Sequence, residues 1–434
     1  MARRVATSLQ RSAELLARAR TLIPGASQTM SKGPTQWVQG VAPAYLQRGL
    51  GARVWDVDGN EYLDFPMALG PIILGHAHPT VNDAIARQLG DGITFTLPHP
   101  LEVEVAERIL AVVPGIERVR FAKAGSDATS AAVRLSRAVT GRDRVIVAGY
   151  HGWHDWYIAS TSRRLGVPPS VIELVETVPY GELATLAAAL SRQEGEVACV
   201  VLEPSGAREP EVGYLQALVD LAHEHRALVV FDEVITGFRL AMGGAQERYG
   251  AQADLVCYGK ALGNGMPISA LAGRAVHMDL LENVFFSGTH GGETLSLAAA
   301  AATLDVLARE PVHEHLWRLG GVLQSGIRAA IAAHGLEDWV TCSGAAPWTI
   351  VGVREPHPRD DALPAKSLLQ QEMLRRGVLF NGSNFISYAH TDADVAEAVA
   401  AYDAAFGRLA RALPDDVHEQ LEGPPVSQVF RPLS

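Results

Sequence analysis

Four stretches of this sequence end an apolar run with residues able to do chemistry. In Ala-Leu-Val-Val-Phe-Asp232-Glu233-Val, a carboxylate directly follows five apolar residues. A charge so placed is poorly solvated and needs a cation or several donors; a helix cap or a structural ion pair is the plain alternative. In Asp254-Leu-Val-Cys-Tyr-Gly-Lys260, a lysine ends an apolar strand and runs into the glycine-rich Ala-Leu-Gly-Asn-Gly. Burial lowers a lysine's pKa, and the neutral amine attacks carbonyl groups; a snorkelling surface lysine is the alternative.

The third stretch, Phe121-Ala-Lys-Ala-Gly125-Ser126-Asp127-Ala-Thr129, opens an alanine-rich helix. A glycine and a hydroxyl at a helix start present free N–H groups and the positive dipole end to an anion. It lacks the Gly-Lys-Ser/Thr ending of a P-loop and the triple-glycine dinucleotide spacing, and an ordinary capped helix is the competing reading. The fourth, Tyr150-His151-Gly152-Trp153-His154, follows the strand ending at Val147 and offers an aromatic platform for a planar ligand. Neither its histidines nor His76 and His78 are joined by further ligands at metal spacing, so no metal is expected.

Ligands of open α/β sheets bind at the carboxyl ends of the strands. Together the stretches provide an anion cradle, a stacking surface, a buried carboxylate and a reactive amine. That set fits a ligand with a phosphate, an aromatic ring, a protonated ring nitrogen and an aldehyde. Pyridoxal 5'-phosphate has all four, with Lys260 as its covalent attachment point.

The elements that must position these residues are legible as periodicity. From about Pro79 to Arg309, helices such as Leu215 to His225 alternate with short apolar strands. The strand candidates are Val119-Arg120-Phe121, Val145-Ile146-Val147, Ala198 to Leu202, Ala227 to Phe231, Leu255 to Tyr258 and Ile268 to Leu271. Runs this apolar suit a mostly parallel sheet covered on both faces. Upstream lie a helix from Ser8 to Arg20 and a hairpin between Val54 and Asp64 turning at Asp58-Gly59-Asn60. Downstream, a smaller α+β unit has helices near His315 to Ala333, Ser367 to Arg376 and Ala393 to Leu413. Its strands are expected near Trp348 to Val353 and Phe385 to Tyr388.

With 434 residues, 48% hydrophobic, the chain can build a large core and more than one domain. A net charge of −11 provides no basic field for nucleic acid or an anionic membrane. Cys199, Cys257 and Cys342 lie far apart in apolar settings, as buried thiols of a reducing compartment do. No stretch approaches a membrane span and the first residues do not read as a secretory signal, so the cytoplasm is the expected location.

At these residues the sequence resembles the class III aminotransferases of the fold-type I pyridoxal phosphate superfamily. Within them it is most similar to the glutamate-1-semialdehyde aminomutase branch. The resemblance covers nearly the whole chain. It includes Val-Trp-Asp-Val-Asp-Gly-Asn, Leu-Gly-His-Ala-His-Pro, Gly125-Ser126, Tyr150-His151-Gly152, Glu203-Pro204, Asp232-Glu233-Val-Ile-Thr-Gly-Phe-Arg239, Gly259-Lys260 and Ser287-Gly288-Thr289. It implies an α/β fold: a large cofactor domain, 70–309, with a mostly parallel seven-stranded sheet, and a small α+β domain from 1–69 and 310–434. It also implies roles. Lys260 would bind the cofactor and carry the proton, and Asp232 would keep the pyridine nitrogen protonated. Tyr150 and Val234 would cover the ring faces, and Gly125 and Ser126 would hold the phosphate. Thr289 would reach the phosphate of a neighbouring subunit in a homodimer, and Glu203 would sit near the phenolic oxygen.

Departures surround the substrate. The segment after Glu203-Pro204 is short, leading through Ser-Gly-Ala-Arg208 to Gly213. The family's Thr-x-Ser-Gly-Asn-Pro becomes Thr289-His-Gly-Gly-Glu293-Thr, and the position of the aminomutase glutamate falls on Gly382. Tyr-His-Gly-Trp-His-Asp-Trp and Phe-Ile-Ser-Tyr-Ala-His resemble instead a subgroup linked to amino-sugar and aminoglycoside biosynthesis. The expectation is transfer of an amino group from an amino acid, glutamate foremost, to an oxo-sugar carbonyl. A 2,1-aminomutase or an epimerase is the alternative. Trp153 and Trp156 are candidates to stack on a sugar ring, and Arg208 and Arg239 to clamp the donor carboxylate.

Overall fold

Strands rich in valine and leucine that are buried on both faces need helices over them, and helices rich in alanine can approach a sheet closely. The computed structural model describes residues 8–354, 362–413 and 417–429. Three strands come first: β1 (Leu46–Leu50), β2 (Arg53–Asp56) and β3 (Glu61–Asp64). Seven follow: β4 (Arg118–Ala122), β5 (Arg144–Ala148), β6 (Val175–Thr177), β7 (Val197–Leu202), β8 (Leu228–Glu233), β9 (Leu255–Tyr258) and β10 (Ser269–Gly273). The last are β11 (Val340–Ser343), β12 (Trp348–Val353), β13 (Val378–Leu379) and β14 (Ser383–Phe385).

The chain divides into two compact units. One comprises Met1–Leu69, Ile73–His78 and Glu314–Val429, and the other Gly70–Ile72 and Pro79–His313. The second unit contains a seven-stranded sheet in the order β4-β10-β9-β8-β7-β5-β6. Its pairings from β9 through β6 are parallel, while β10 runs antiparallel to both β9 and β4. The helix Gly125–Thr140 packs Ala128, Ala131, Ala132 and Leu135 among Val145, Val147, Val201, Val230 and Leu271. Each large aliphatic side chain so buried contributes about 1.5–3 kcal/mol.

In the first unit, β1-β2-β3-β13 form one sheet and β11-β12-β14 another. The β2–β3 turn is held by Asp56, whose carboxylate accepts from the backbone N–H groups of Asp58 and Asn60 at 2.9 and 2.8 Å. Asp58 in turn accepts from the N–H groups of Arg11 and Ser12, fixing the start of the helix Gln10–Leu22. The expected strand at 385–388 is displaced to β14 (Ser383–Phe385). Past Phe385 the backbone leaves the ladder, Ile386 donating to Pro347 and Tyr388 to Ile73. Cys199 and Cys257 are buried, whereas Cys342 is only partly so, a correction to the expectation for all three. No described helix is long and apolar enough to cross a membrane.

Candidate active site

β8 ends on Asp232 and Glu233, which stand in register with Cys257 and Tyr258 of the parallel β9. Lys260 follows with a left-handed backbone, φ 39°, and starts the short turn Lys260–Gly263. A non-glycine residue held there stores about 1–3 kcal/mol, which the buried Ala261 and Leu262 on its far side help to sustain. Desolvation lowers the Lys260 pKa to about 8, with Arg239 acting in the same sense and Glu203 and Asp232 opposing. A larger share of the amine is therefore neutral at physiological pH than for an ordinary lysine, and the neutral form is the one that attacks an aldehyde.

Asp232 is buried, and both its oxygens are engaged. Oδ1 accepts from the Val234 N–H at 3.1 Å, and Oδ2 lies 2.9 Å from His151 Nδ1. His151 is enclosed, stacked on Trp156 at 6.3 Å and edge-on to Tyr157 at 5.3 Å. Facing a carboxylate, its Nδ1 carries the proton and donates it. Glu203, just beyond β7, accepts from the Tyr150 N–H at 3.1 Å. Burial and the Asp232 charge raise its pKa, while His151, the Tyr150 N–H and Lys260 pull it down.

The helix Gly125–Thr140 begins at Gly125, with Asp127 accepting from the Ala124 N–H at 2.8 Å. A Cβ on Gly125 would come 2.9 Å from Val234 Cγ1. A Cβ on Gly152 would overlap the Ser126 hydroxyl, and Gly152 adopts φ 103°, which disfavours a side chain. The Trp153 N–H lies 3.4 Å from Ser126 Oγ. Gly125, Ser126, Gly152 and Val234 thus pack closely as one surface of backbone, hydroxyl and small aliphatic groups. Beside it the Tyr150 ring rests edge-on against Tyr157, with centroids 5.5 Å apart. The Tyr157 hydroxyl donates to the Gly149 carbonyl at 2.9 Å.

The remaining expected residues fall elsewhere. Thr289 lies in the exposed stretch 287–290. Arg208 is exposed in the short loop after β7. Arg239 is wholly buried and donates to the Gly70 carbonyl, and desolvation brings its pKa down to about 9. A guanidinium enclosed this way offers no open fork to a substrate, so a donor clamp at Arg239 does not fit its placement. Trp153 is 69% exposed and free to stack, but Trp156 is buried with its indole N–H on Ser130 Oγ at 2.9 Å. The stacking expectation is corrected for Trp156, which is a core residue. His76, expected in a turn, bonds Asp64 through Nε2 at 2.8 Å.

From sequence, His151 is only part of an aromatic stretch, and nothing local marks it as the partner of Asp232, 81 positions away. Residues 24–46 are equally unmarked, yet Ser27, Thr29, Lys32, Trp37 and Tyr45 help line a cavity of about 820 Å³ in the first unit. That stretch has no period, only its Gly and Pro punctuation, to mark it.

A buried carboxylate with oriented donors, a buried lysine of lowered pKa and a close-packed cradle at a helix start fit pyridoxal phosphate. Comparison with known proteins agrees. Residues 36–345 match the family described as Aminotransferase class-III. A glutamate-1-semialdehyde 2,1-aminomutase of Roseiflexus castenholzii is 39% identical over 90% of this chain and 96% of its own. The FumI protein of Sphingopyxis sp. MTA144, solved in its PLP internal aldimine form, superposes with TM-score 0.87 at 30% identity, over 95% of this chain and 99% of that one. An omega-transaminase from Sphaerobacter thermophilus gives TM-score 0.84 at 26% identity, over 92% and 98%. The chain belongs to the class III aminotransferase family and is a pyridoxal phosphate-dependent enzyme.

Proposed function

We propose that this enzyme transfers an amino group from an amino-acid donor, glutamate foremost, to the oxo group of a small molecule. When bound, the cofactor supplies an electron sink for the carbon that bears the amino group. Lys260 would be the attachment point, and its Nζ, its pKa lowered by burial, would serve as the base for the proton on the substrate Cα. Asp232, oriented by His151 and Val234 N–H, holds the proton on the ring nitrogen. Tyr150 and Val234 would cover the ring faces, Gly125 and Ser126 would hold the phosphate, and Glu203 would sit near the phenolic oxygen and the substrate.

The observation that carries transfer over isomerisation is Gly382. It adopts φ 104°, and a Cβ there would stand 3.4 Å from the Val351 carbonyl oxygen. The position matching the aminomutase glutamate therefore holds no carboxylate, and its backbone disfavours one. The second reading, a 2,1-aminomutase, is favoured by the name of the Roseiflexus relative at 39% identity. For the acceptor, exposed Trp153 beside Ser126 supports a ring-shaped polyhydroxylated molecule such as an oxo-sugar. A homodimer sharing Thr289 is supported by exposed apolar side chains, Ile93, Phe95, Leu97 and Phe285 among them. Residues 70–309 are read as the cofactor domain and the rest as the small domain.

Incubation with ¹⁵N-glutamate and a panel of oxo-sugars tests the reading. Transfer is expected to put the label in the product and to release 2-oxoglutarate. Conversion of glutamate 1-semialdehyde without any external donor would instead establish the aminomutase.

A further inference from the structure

Glu293 stands at the start of the helix Thr294–Arg309, and its carboxylate takes more partners than a helix cap requires. It accepts from the N–H groups of Leu295 at 2.6 Å and Ser296 at 3.2 Å, and from Ser296 Oγ at 2.6 Å. It also receives the Lys123 ammonium at 2.9 Å. The side chains of Lys123 and Glu293 are only 23% and 13% exposed, so the pair is better shielded from water than an ordinary surface pair.

The two residues belong to different structures. Lys123 directly follows β4, and its N–H lies 3.3 Å from Asp127 Oδ2, the oxygen that also caps the helix carrying Gly125 and Ser126. Glu293 closes the exposed stretch 287–290 that bears Thr289, and the next residue, Thr294, anchors on the Ile93 carbonyl at 2.9 Å. The asparagine of the Thr-x-Ser-Gly-Asn-Pro pattern can cap a helix but cannot carry an ion pair.

We propose that Lys123 and Glu293 are positioning residues that lock the base of the Thr289 stretch onto the Gly125-Ser126 cradle of the same chain. Each chain's hold on the cofactor phosphate, and the geometry of the loop it lends to a partner, then depend on one ion pair. This rests on the reading above that Gly125 and Ser126 bind phosphate and that Thr289 serves a neighbouring subunit.

The test is titration of cofactor-free protein with pyridoxal phosphate and, separately, with pyridoxal, followed by absorbance. Lys123→Met and Glu293→Gln are expected to weaken pyridoxal phosphate binding by about three- to tenfold, the range of a partly shielded charged hydrogen bond. Binding of pyridoxal, which has no phosphate, should stay at the wild-type value, and Lys123→Arg should retain tight binding. Equal loss of both ligands, or unchanged pyridoxal phosphate binding in a Lys123→Met protein of normal melting temperature, overturns the proposal. Ser126→Ala and Thr289→Ala separate the two levels. If they lower phosphate-dependent binding while Lys123→Met does not, only the coupling fails. If neither does, the phosphate reading itself fails.

Discussion

His151 Nδ1 and Asp232 Oδ2 lie 2.9 Å apart in a site closed to solvent, and this contact governs what Asp232 can do. A buried carboxylate with fixed donors keeps its direction, which a partner cation on a ligand requires. Asp232→Asn removes the charge and is expected to lower the single-turnover rate by about 10²–10³-fold, the usual loss for a preorganised electrostatic group. His151→Ala leaves the charge but frees its orientation, and a loss of about ten- to a hundredfold is expected, as for supporting partners elsewhere. Stopped-flow kinetics on protein fully loaded with cofactor measures both. A His151→Ala enzyme as fast as wild type would remove the imidazole from the mechanism.

Lys260 yields a pH prediction. Its amine has a pKa of about 8 rather than the ordinary 10.5, with desolvation the largest cause. Below that value the amine is protonated and cannot attack the cofactor aldehyde. The rate of cofactor attachment to cofactor-free protein should rise about tenfold per pH unit and level off near pH 8. A midpoint above pH 10 would mean that the lysine is solvated.

Glu233 controls stability rather than chemistry. It is fully buried, and desolvation raises its pKa to about 7 against opposition from the Ala245 and Gln246 N–H groups and the Thr236 hydroxyl. The folded-state pKa lies above the unfolded value of 4.5, so folding favours the protonated acid. Its contribution is fully present below pH 4.5 and is lost as pH rises through about 7. Thermal melts of wild type and Glu233→Gln from pH 5 to 8 should lie closest at the acid end and diverge toward the alkaline end, the wild type losing more stability over that window because glutamine stays neutral. Parallel pH profiles for the two proteins would contradict this.

Much of the fold could be read because fully apolar strands are hard to mistake. Leu255–Tyr258 has the expected bounds, and Arg144–Ala148 differs by one residue at each end. β6, Val-Glu-Thr, was missed because an edge strand only partly buried carries no apolar run. The antiparallel direction of β10 was equally illegible, since Ser269–Gly273 presents the same apolar surface either way round. β8 extends through Asp232 and Glu233, whereas apolarity alone ended it at Phe231. The difference arises because each carboxylate finds its donors through tertiary contacts, His151 for one and Ala245 with Gln246 for the other.

The chemistry was legible where residue types are unusual for their setting, as with Lys260 after an apolar strand. It was not legible where two charged residues of ordinary local setting meet across the sequence. Lys123 and Glu293 are separated by 170 positions, and nothing local to either signals the other. Trp156 shows the converse: an indole in an aromatic-rich motif invites a binding role, yet Ser130 and the core claim it.

The attachment of the cofactor to Lys260 is tested most directly by borohydride reduction of the reconstituted protein, followed by peptide mapping by mass spectrometry. The other lysines, Lys32, Lys123 and Lys366, serve as internal controls. One phosphopyridoxyl group per chain, on the peptide containing Lys260, is the expected result. Label on another lysine, or a Lys260→Ala protein labelled to the same extent at one site, would contradict it.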